Sequence, residues 1–235
     1  MKIIEREKVC LELLGKLPKG FVLVGGYAIS SFDFPRFSVD LDLVVPGKEL
    51  EKFKGVLENE GFHLVQDLGE FGDSYKGRMM RFEKKVDSLT VGVDMLINMI
   101  QARQTDTAYS FEYLLKNSEL RRVIGSGAKN SVEARVANKE MLIALKINSM
   151  RMADQRDIIS LCNGKVEVAK VESHLKRSPK EKILKHFDII LATLNDPKSK
   201  DSLKGVFGIS DQVYKRMIDK ALREILSMRE SMAKG

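Results

Sequence analysis

Apolar residues along the chain recur at two different periods. Near residues 2–16, Ile3, Val9, Leu13, Leu14 and the following Leu17 fall on one stripe at helical spacing, which predicts an amphipathic helix. The valine- and leucine-rich runs at about 20–24 and 39–45 are too short for helices and predict strands, with a short helix starting at Gly26 between them. Pro46 and Gly47 end the second run, and "KELEKFKGVLENEG" predicts a surface helix closed by Gly61. Further strands are expected at "FHLVQDL", "GRMMRFEKK" and "LTVGVDMLI". A polar linker, "GSGAKNS" at 125–131, follows the short strand-like "RRVI".

Beyond the linker the pattern is almost wholly helical. One long helix is expected from an N-cap at Asn138 to a stop at Asn163–Gly164, then helices around 166–176, 180–194 and 210–228. The expected class is α+β: a mixed β-sheet domain with flanking helices over residues 1–130, then a helical domain over 131–235.

Composition narrows the class. Apolar residues make up 43% of the 235 and charged residues 31%, as in a globular protein with a sizeable core. No apolar run approaches the roughly 18 residues of a membrane helix, and the charged start "MKIIEREKVCLELLGKLP" does not read as a secretory signal, so a cytoplasmic protein is expected, away from membranes. Cys10 and Cys162 lie far apart in apolar helical patterns and read as small buried hydrophobes, and His63, His174 and His186 have no metal-ligand spacing with them. Charge is uneven. Residues 1–164 hold 24 basic and 23 acidic residues, whereas residues 165–235 hold 16 and 10. A basic appendage on a near-neutral body suits a polyanion such as nucleic acid, although a solvated lysine-rich surface gives the same count.

The chemistry is concentrated in "FVLVGGYAISSFDFPRFSVDLDLVV" at 21–45. Alternation in a strand puts Asp40 and Asp42 on one face and Val39, Leu41 and Leu43 on the other. Carboxylates that close are costly unless a cation neutralises them, and hard oxygen ligands suit Mg2+. A solvated edge strand is the simpler reading of such a pair taken alone. Upstream, a strand running into Gly25–Gly26 and a short helix lets backbone amides approach a phosphate. Downstream, Asp94 interrupts an apolar run, on the side of Gly92 and Leu96. On a neighbouring strand it would bring a third carboxylate to the same place, as two-metal phosphoryl or nucleotidyl transfer requires.

Together these residues resemble the nucleotidyltransferase superfamily, whose signature is a strand, Gly-Gly or Gly-Ser, a spacer of about a dozen residues, D-x-D, and a later carboxylate. More narrowly, Gly25-Gly26-Tyr27-Ala28 with Arg36-x-Ser38-x-Asp40-x-Asp42 looks like the AbiEii-type toxins of abortive-infection and type IV toxin–antitoxin systems, with serine in place of the more usual threonine. "MLIALKINSMRMADQRDIISL" is similar to a second family segment. There Lys146 and Asp157, eleven residues or about three turns apart, would share one helix face, a pairing that a solvated surface also permits.

The resemblance implies a nucleotidyltransferase-like fold and transfer of NMP from an NTP to an acceptor hydroxyl with release of pyrophosphate. It implies Asp40, Asp42 and Asp94 as ligands of Mg2+, two ions with Mn2+ as a substitute. It puts the triphosphate near Gly25, Gly26, Tyr27, Arg36 and Ser38, with Lys146 on the nucleotide and Asp157 orienting a substrate group or Lys146. RNA, at a tRNA 3′ end, is the implied acceptor, and an antitoxin protein the implied partner. An antibiotic-modifying nucleotidyltransferase of the aminoglycoside type shares the same core motifs, and a homologue that binds RNA without catalysis is a reading from another class.

Overall fold

The computed structural model describes residues 2–32, 35–72 and 75–234. Helix α1, Lys2–Lys16, buries Cys10, Leu13 and Leu14 along the expected stripe, with Leu17 just past its end; the side chain of Ile3 lies outside the described residues. Then come β1 (Val22–Val24), α2 (Gly25–Ser30), β2 (Asp40–Val45) and α3 (Leu50–Asn59). A run of strands follows, β3 (His63–Phe71), β4 (Gly77–Val86), β5 (Leu89–Ile97), β6 (Met99–Ala102) and β7 (Thr107–Ser110). Helix α4 (Phe111–Lys116), β8 (Ser118–Ile124) and β9 (Ser131–Ala137) complete this part.

Seven strands form one mixed sheet in the order β3-β4-β5-β2-β1-β9-β8, and β6 and β7 pair separately. β2 lies inside the sheet, antiparallel to β1 and parallel to β5. Its apolar face is fully buried, with Leu41, Leu43 and Val45 all inaccessible, so the register is held by the core: a slip of one residue would drive Asp40 and Asp42 inward. The same alternation on β5 buries Val91, Val93 and Met95 and turns Asp94 to the other face. This is the α+β mixed sheet with flanking helices that the pattern predicts.

The chain divides into two compact units. The first comprises Met1–Ser31, Pro35–Ile100 and Ala108–Ala137; the second comprises Phe32–Phe34, Gln101–Thr107 and Asn138–Gly235. The units part at Ala137/Asn138, because β9 pairs with both β1 and β8 within the sheet. The polar stretch 125–131 is therefore a loop inside the first unit, and it is pinned. The buried carboxylate of Glu7 accepts the backbone N–H groups of Ser126, Gly127 and Ala128 at 2.8–2.9 Å, which ties this largely exposed loop to α1.

The second unit holds six helices among its described residues: α5 (Lys139–Ser149), α6 (Met152–Leu161), α7 (Val168–Leu175), α8 (Lys180–Asn195), α9 (Pro197–Phe207) and α10 (Asp211–Lys234). Asn138 caps α5 as expected, accepting from Met141 N. The single long helix expected from Asn138 is instead two. Met150 adopts the left-handed conformation, φ 43°, and Asp154 reaches back to accept the N–H of Arg151, which ends one helix and starts the next. Helix α10 buries Met217, Ala221, Ile225, Met228 and Met232 at helical spacing, the mark of a long surface helix seated along one stripe.

Candidate active site

Three strands and one turn of the first unit build the site. Asp42 on β2 faces Val24, the last residue of β1, on one side and Asp94 of β5 on the other, each as a direct register partner. Immediately after Val24 the chain turns at Gly25, φ +67°, into α2. A β-carbon at Gly25 would overlap the Asp42 carboxylate, so glycine is required there twice, for the backbone angle and for the close approach. Gly26 lies against Ser38, where a β-carbon would overlap Oγ and come within 3.3 Å of Arg36 Nη1.

The segment between α2 and β2 is tied down by its own side chains. Ser30 Oγ donates to Arg36 O at 2.9 Å, and the buried Tyr27 donates its hydroxyl to Ser38 O at 3.0 Å. Tyr27, expected beside the nucleotide, thus holds the backbone of Ser38, which in turn lies against Gly26. Burial pushes its phenol above the ordinary range, as it does the adjacent Cys10 thiol, up to about 12. Both cysteines are buried free thiols.

The pattern alone did not reveal Arg81. It lies on β4 as the register partner of Asp94, and its guanidinium spans the carboxylates. Nη1 donates to Asp94 Oδ1 at 2.9 Å, Nη2 to Asp40 Oδ1 at 3.3 Å, and Nε to Glu83 Oε1 at 2.9 Å. "GRMMRFEKK" reads as an ordinary amphipathic strand; its signal is that Arg81 and Glu83 occupy the face that Asp94 shares, visible only once the β4–β5 register is known. Burial raises Asp94 above the usual carboxylate range, with Arg81 pulling in the opposite direction. Among the described residues no group of three or more His, Cys, Asp or Glu side chains is gathered to hold a metal ion. The donor set nonetheless suits a hard divalent cation, with three aspartates on two adjacent strands beside a glycine turn; Arg81 holds two of them.

Lys146 and Asp157 lie in the second unit and are brought together there. Lys146 Nζ sits 2.8 Å from Asp157 Oδ2 and 2.8 Å from Asp154 Oδ1, with both aspartates fully buried. The pairing arises across the α5–α6 break rather than along one helix face. Asp154, not singled out by the motif, also accepts from Ser149 Oγ at 2.6 Å and Arg151 N at 2.8 Å. Burial alone would push Asp154 up, yet Lys146 and the hydrogen bonds from Arg151, Lys146 and Ser149 bring it down to about 2. Lys146 is raised: burial pulls its ammonium down, and Asp157 and Asp154 more than offset it.

Residues 13–159 match the model of the family described as Nucleotidyl transferase AbiEii toxin, Type IV TA system. The chain belongs to that AbiEii family. It is a nucleotidyltransferase, and family membership implies a nucleotide substrate, an antitoxin partner and the divalent metal that such enzymes generally use. No curated protein matches the chain. Among solved structures, a candidate nucleotidyltransferase from H. pylori is 17% identical with a TM-score of 0.51, over 99% of this chain and 96% of that one. JHP933 from Helicobacter pylori is 17% identical with a TM-score of 0.46, over 98% and 91%. The antibiotic-resistance factor ANT(2'')-Ia is 13% identical with a TM-score of 0.40, over 86% and 95%. At such identity the first likeness speaks to fold, and the AbiEii assignment rests on the family match. Of the residues singled out from the sequence, Gly25, Gly26, Tyr27, Arg36, Ser38, Asp40, Asp42 and Asp94 lie in the first unit, and Lys146 and Asp157 in the second. No described helix is long and apolar enough to cross a membrane.

Proposed function

We propose that this AbiEii protein transfers NMP from an NTP to a hydroxyl of RNA, at a tRNA 3′ end, using Mg2+ or Mn2+ held by Asp40, Asp42 and Asp94. The observation that carries this reading is the seating of the Asp42 carboxylate against the backbone of Gly25, directly across from Asp94. The backbone angle alone asks for glycine at this turn, but it does not ask for a carboxylate packed against it. A phosphate seat beside a metal-binding carboxylate does.

Bound there, divalent cations would neutralise the charge that develops as the acceptor oxygen attacks the α-phosphate and pyrophosphate leaves. The protein's own residues do the positioning. The Gly25–Gly26 backbone comes close to the triphosphate, and Ser38, fixed by Tyr27, and Arg36 bound the approach. In the second unit the Lys146 ammonium is oriented by Asp157 and Asp154 and kept charged by them. The basic excess of residues 165–235 suits an RNA backbone and disfavours a cationic antibiotic as acceptor.

The test incubates the protein with each α-labelled NTP and Mg2+, with total RNA or with an aminoglycoside panel, and compares Asp42→Asn. Label in the tRNA band, lost in Asp42→Asn with an unchanged melting temperature, is the expected result. Label on an aminoglycoside alone would move the acceptor to a small molecule. Label on neither, with RNA still bound, would leave an RNA-binding homologue without catalysis.

A further inference from the structure

We propose that Arg81 is a resident counter-cation of the carboxylate cluster, holding Asp40 and Asp94 when no divalent cation is bound and ceding them when one binds, so that it sets how tightly the site takes its metal. The proposal rests on the metal-binding reading of Asp40, Asp42 and Asp94. Each of the three guanidinium nitrogens on Arg81 faces a different carboxylate, two belonging to the site and one, Glu83, on its own strand. Three aspartates crowded on neighbouring strands would repel one another, and a single fixed positive charge between two of them relieves that repulsion.

The seat for this guanidinium is built into the sheet. Gly92, the register partner of Asp40 on β5, leaves the space in which Asp40 and Arg81 meet: a β-carbon there would overlap Asp40 Oδ1 and lie 2.7 Å from Arg81 Nη2. The two contacts are unequal, 2.9 Å to Asp94 and 3.3 Å to Asp40, and the Arg81 side chain is 27% exposed, so the bridge is neither sealed from water nor freely screened. Guanidinium does not lose its proton in proteins, so it yields only by moving. Glu83, bonded through Nε, gives the displaced side chain somewhere to stay on the same face. Arg81 is thus a positioning residue, acting on the metal through the carboxylates.

The direction of the effect separates this role from a structural one. Damage to the site weakens metal binding, whereas removal of a competitor tightens it. Mn2+ binding to the nucleotide-free full-length protein, read from the free-ion signal in electron paramagnetic resonance, compares wild type, Arg81→Gln and Asp42→Asn. Arg81→Gln is expected to bind Mn2+ roughly fivefold to thirtyfold more tightly, the scale of two partly exposed ion pairs, and to melt lower without Mn2+ but gain more on its addition. Equal or weaker binding by Arg81→Gln, with wild type binding and Asp42→Asn not, overturns the proposal while sparing the metal reading. No binding by wild type or Arg81→Gln overturns both. Where Arg81→Gln gives no folded protein by circular dichroism, Arg81→Met replaces it, keeping the length of the side chain without its charge: tighter binding than wild type supports the proposal and equal or weaker binding overturns it.

Discussion

Gly25 carries two constraints in one residue. Its φ of +67° costs an alanine about 1 kcal/mol, and the β-carbon would have to displace the Asp42 carboxylate. Gly25→Ala is therefore expected to lower transfer activity about a hundredfold, the scale of an ångström-sized misplacement at a reacting centre, with only modest loss of thermal stability. Steady-state kinetics beside a melting curve checks this; near-normal activity would mean that Asp42 is not where the chemistry occurs. At this scale the D-x-D and Gly-Gly motifs were legible because strand alternation alone sets which side chains share a face. Arg81 was not, since a charged residue on an amphipathic strand looks alike whether it faces solvent or a carboxylate pair.

The α5–α6 junction is held by electrostatics rather than by helix propensity. Lys146 on α5 and both Asp154 and Asp157 on α6 form a buried triad around the left-handed Met150. Lys146→Met removes the ammonium that two buried carboxylates share, leaving Asp154 the exposed Arg151 alone, and is expected to cost about 3–5 kcal/mol in denaturant unfolding, partly recovered when Asp157 is also made Asn. The same triad predicts acid lability. Asp154 titrates at about 2 in the folded protein against about 3.9 unfolded, so its contribution of about 2–3 kcal/mol is fully present above roughly pH 4 and disappears as pH falls toward 2. Urea midpoints measured between pH 5 and pH 2 should fall more for wild type than for Asp154→Asn. Apolar spacing continues through residues 139–161, which is why the pattern predicts one helix; the break is made by the backbone N–H of Arg151 donating to the Asp154 carboxylate, which the period does not register. Strand β9 was likewise not legible between the linker and the expected helix, because its pairing with β1 joins segments far apart in the chain.

For the whole molecule, the charge gradient is the strongest signal. If the basic excess beyond residue 165 holds RNA, binding should weaken steeply and log-linearly with salt, and replacing Lys176, Arg177, Lys180 and Lys182 with Gln should make that slope shallower by up to about three. RNA modification should fall more than pyrophosphate exchange. Three of these lysines also have protein contacts, Lys176 with Glu172 and Lys180 and Lys182 with the carbonyls of Ala233 and Gln104, so a melting curve of the variant accompanies the binding assay. An unchanged salt slope would place the RNA elsewhere.

By itself the sequence determined the α+β class, the face shared by Asp40 and Asp42, the glycine turn and the AbiEii resemblance, because periodicity and motif spacing are local properties of a chain. Only the tertiary structure decided that Asp94 is the register partner of Asp42, that Arg81 bridges Asp94 and Asp40, and that Asp154 joins Asp157 on Lys146. These are pairings between segments whose order along the chain does not state which will lie side by side: strand register and helix packing follow from burying the apolar faces together, and the charged groups meet where that burial leaves them.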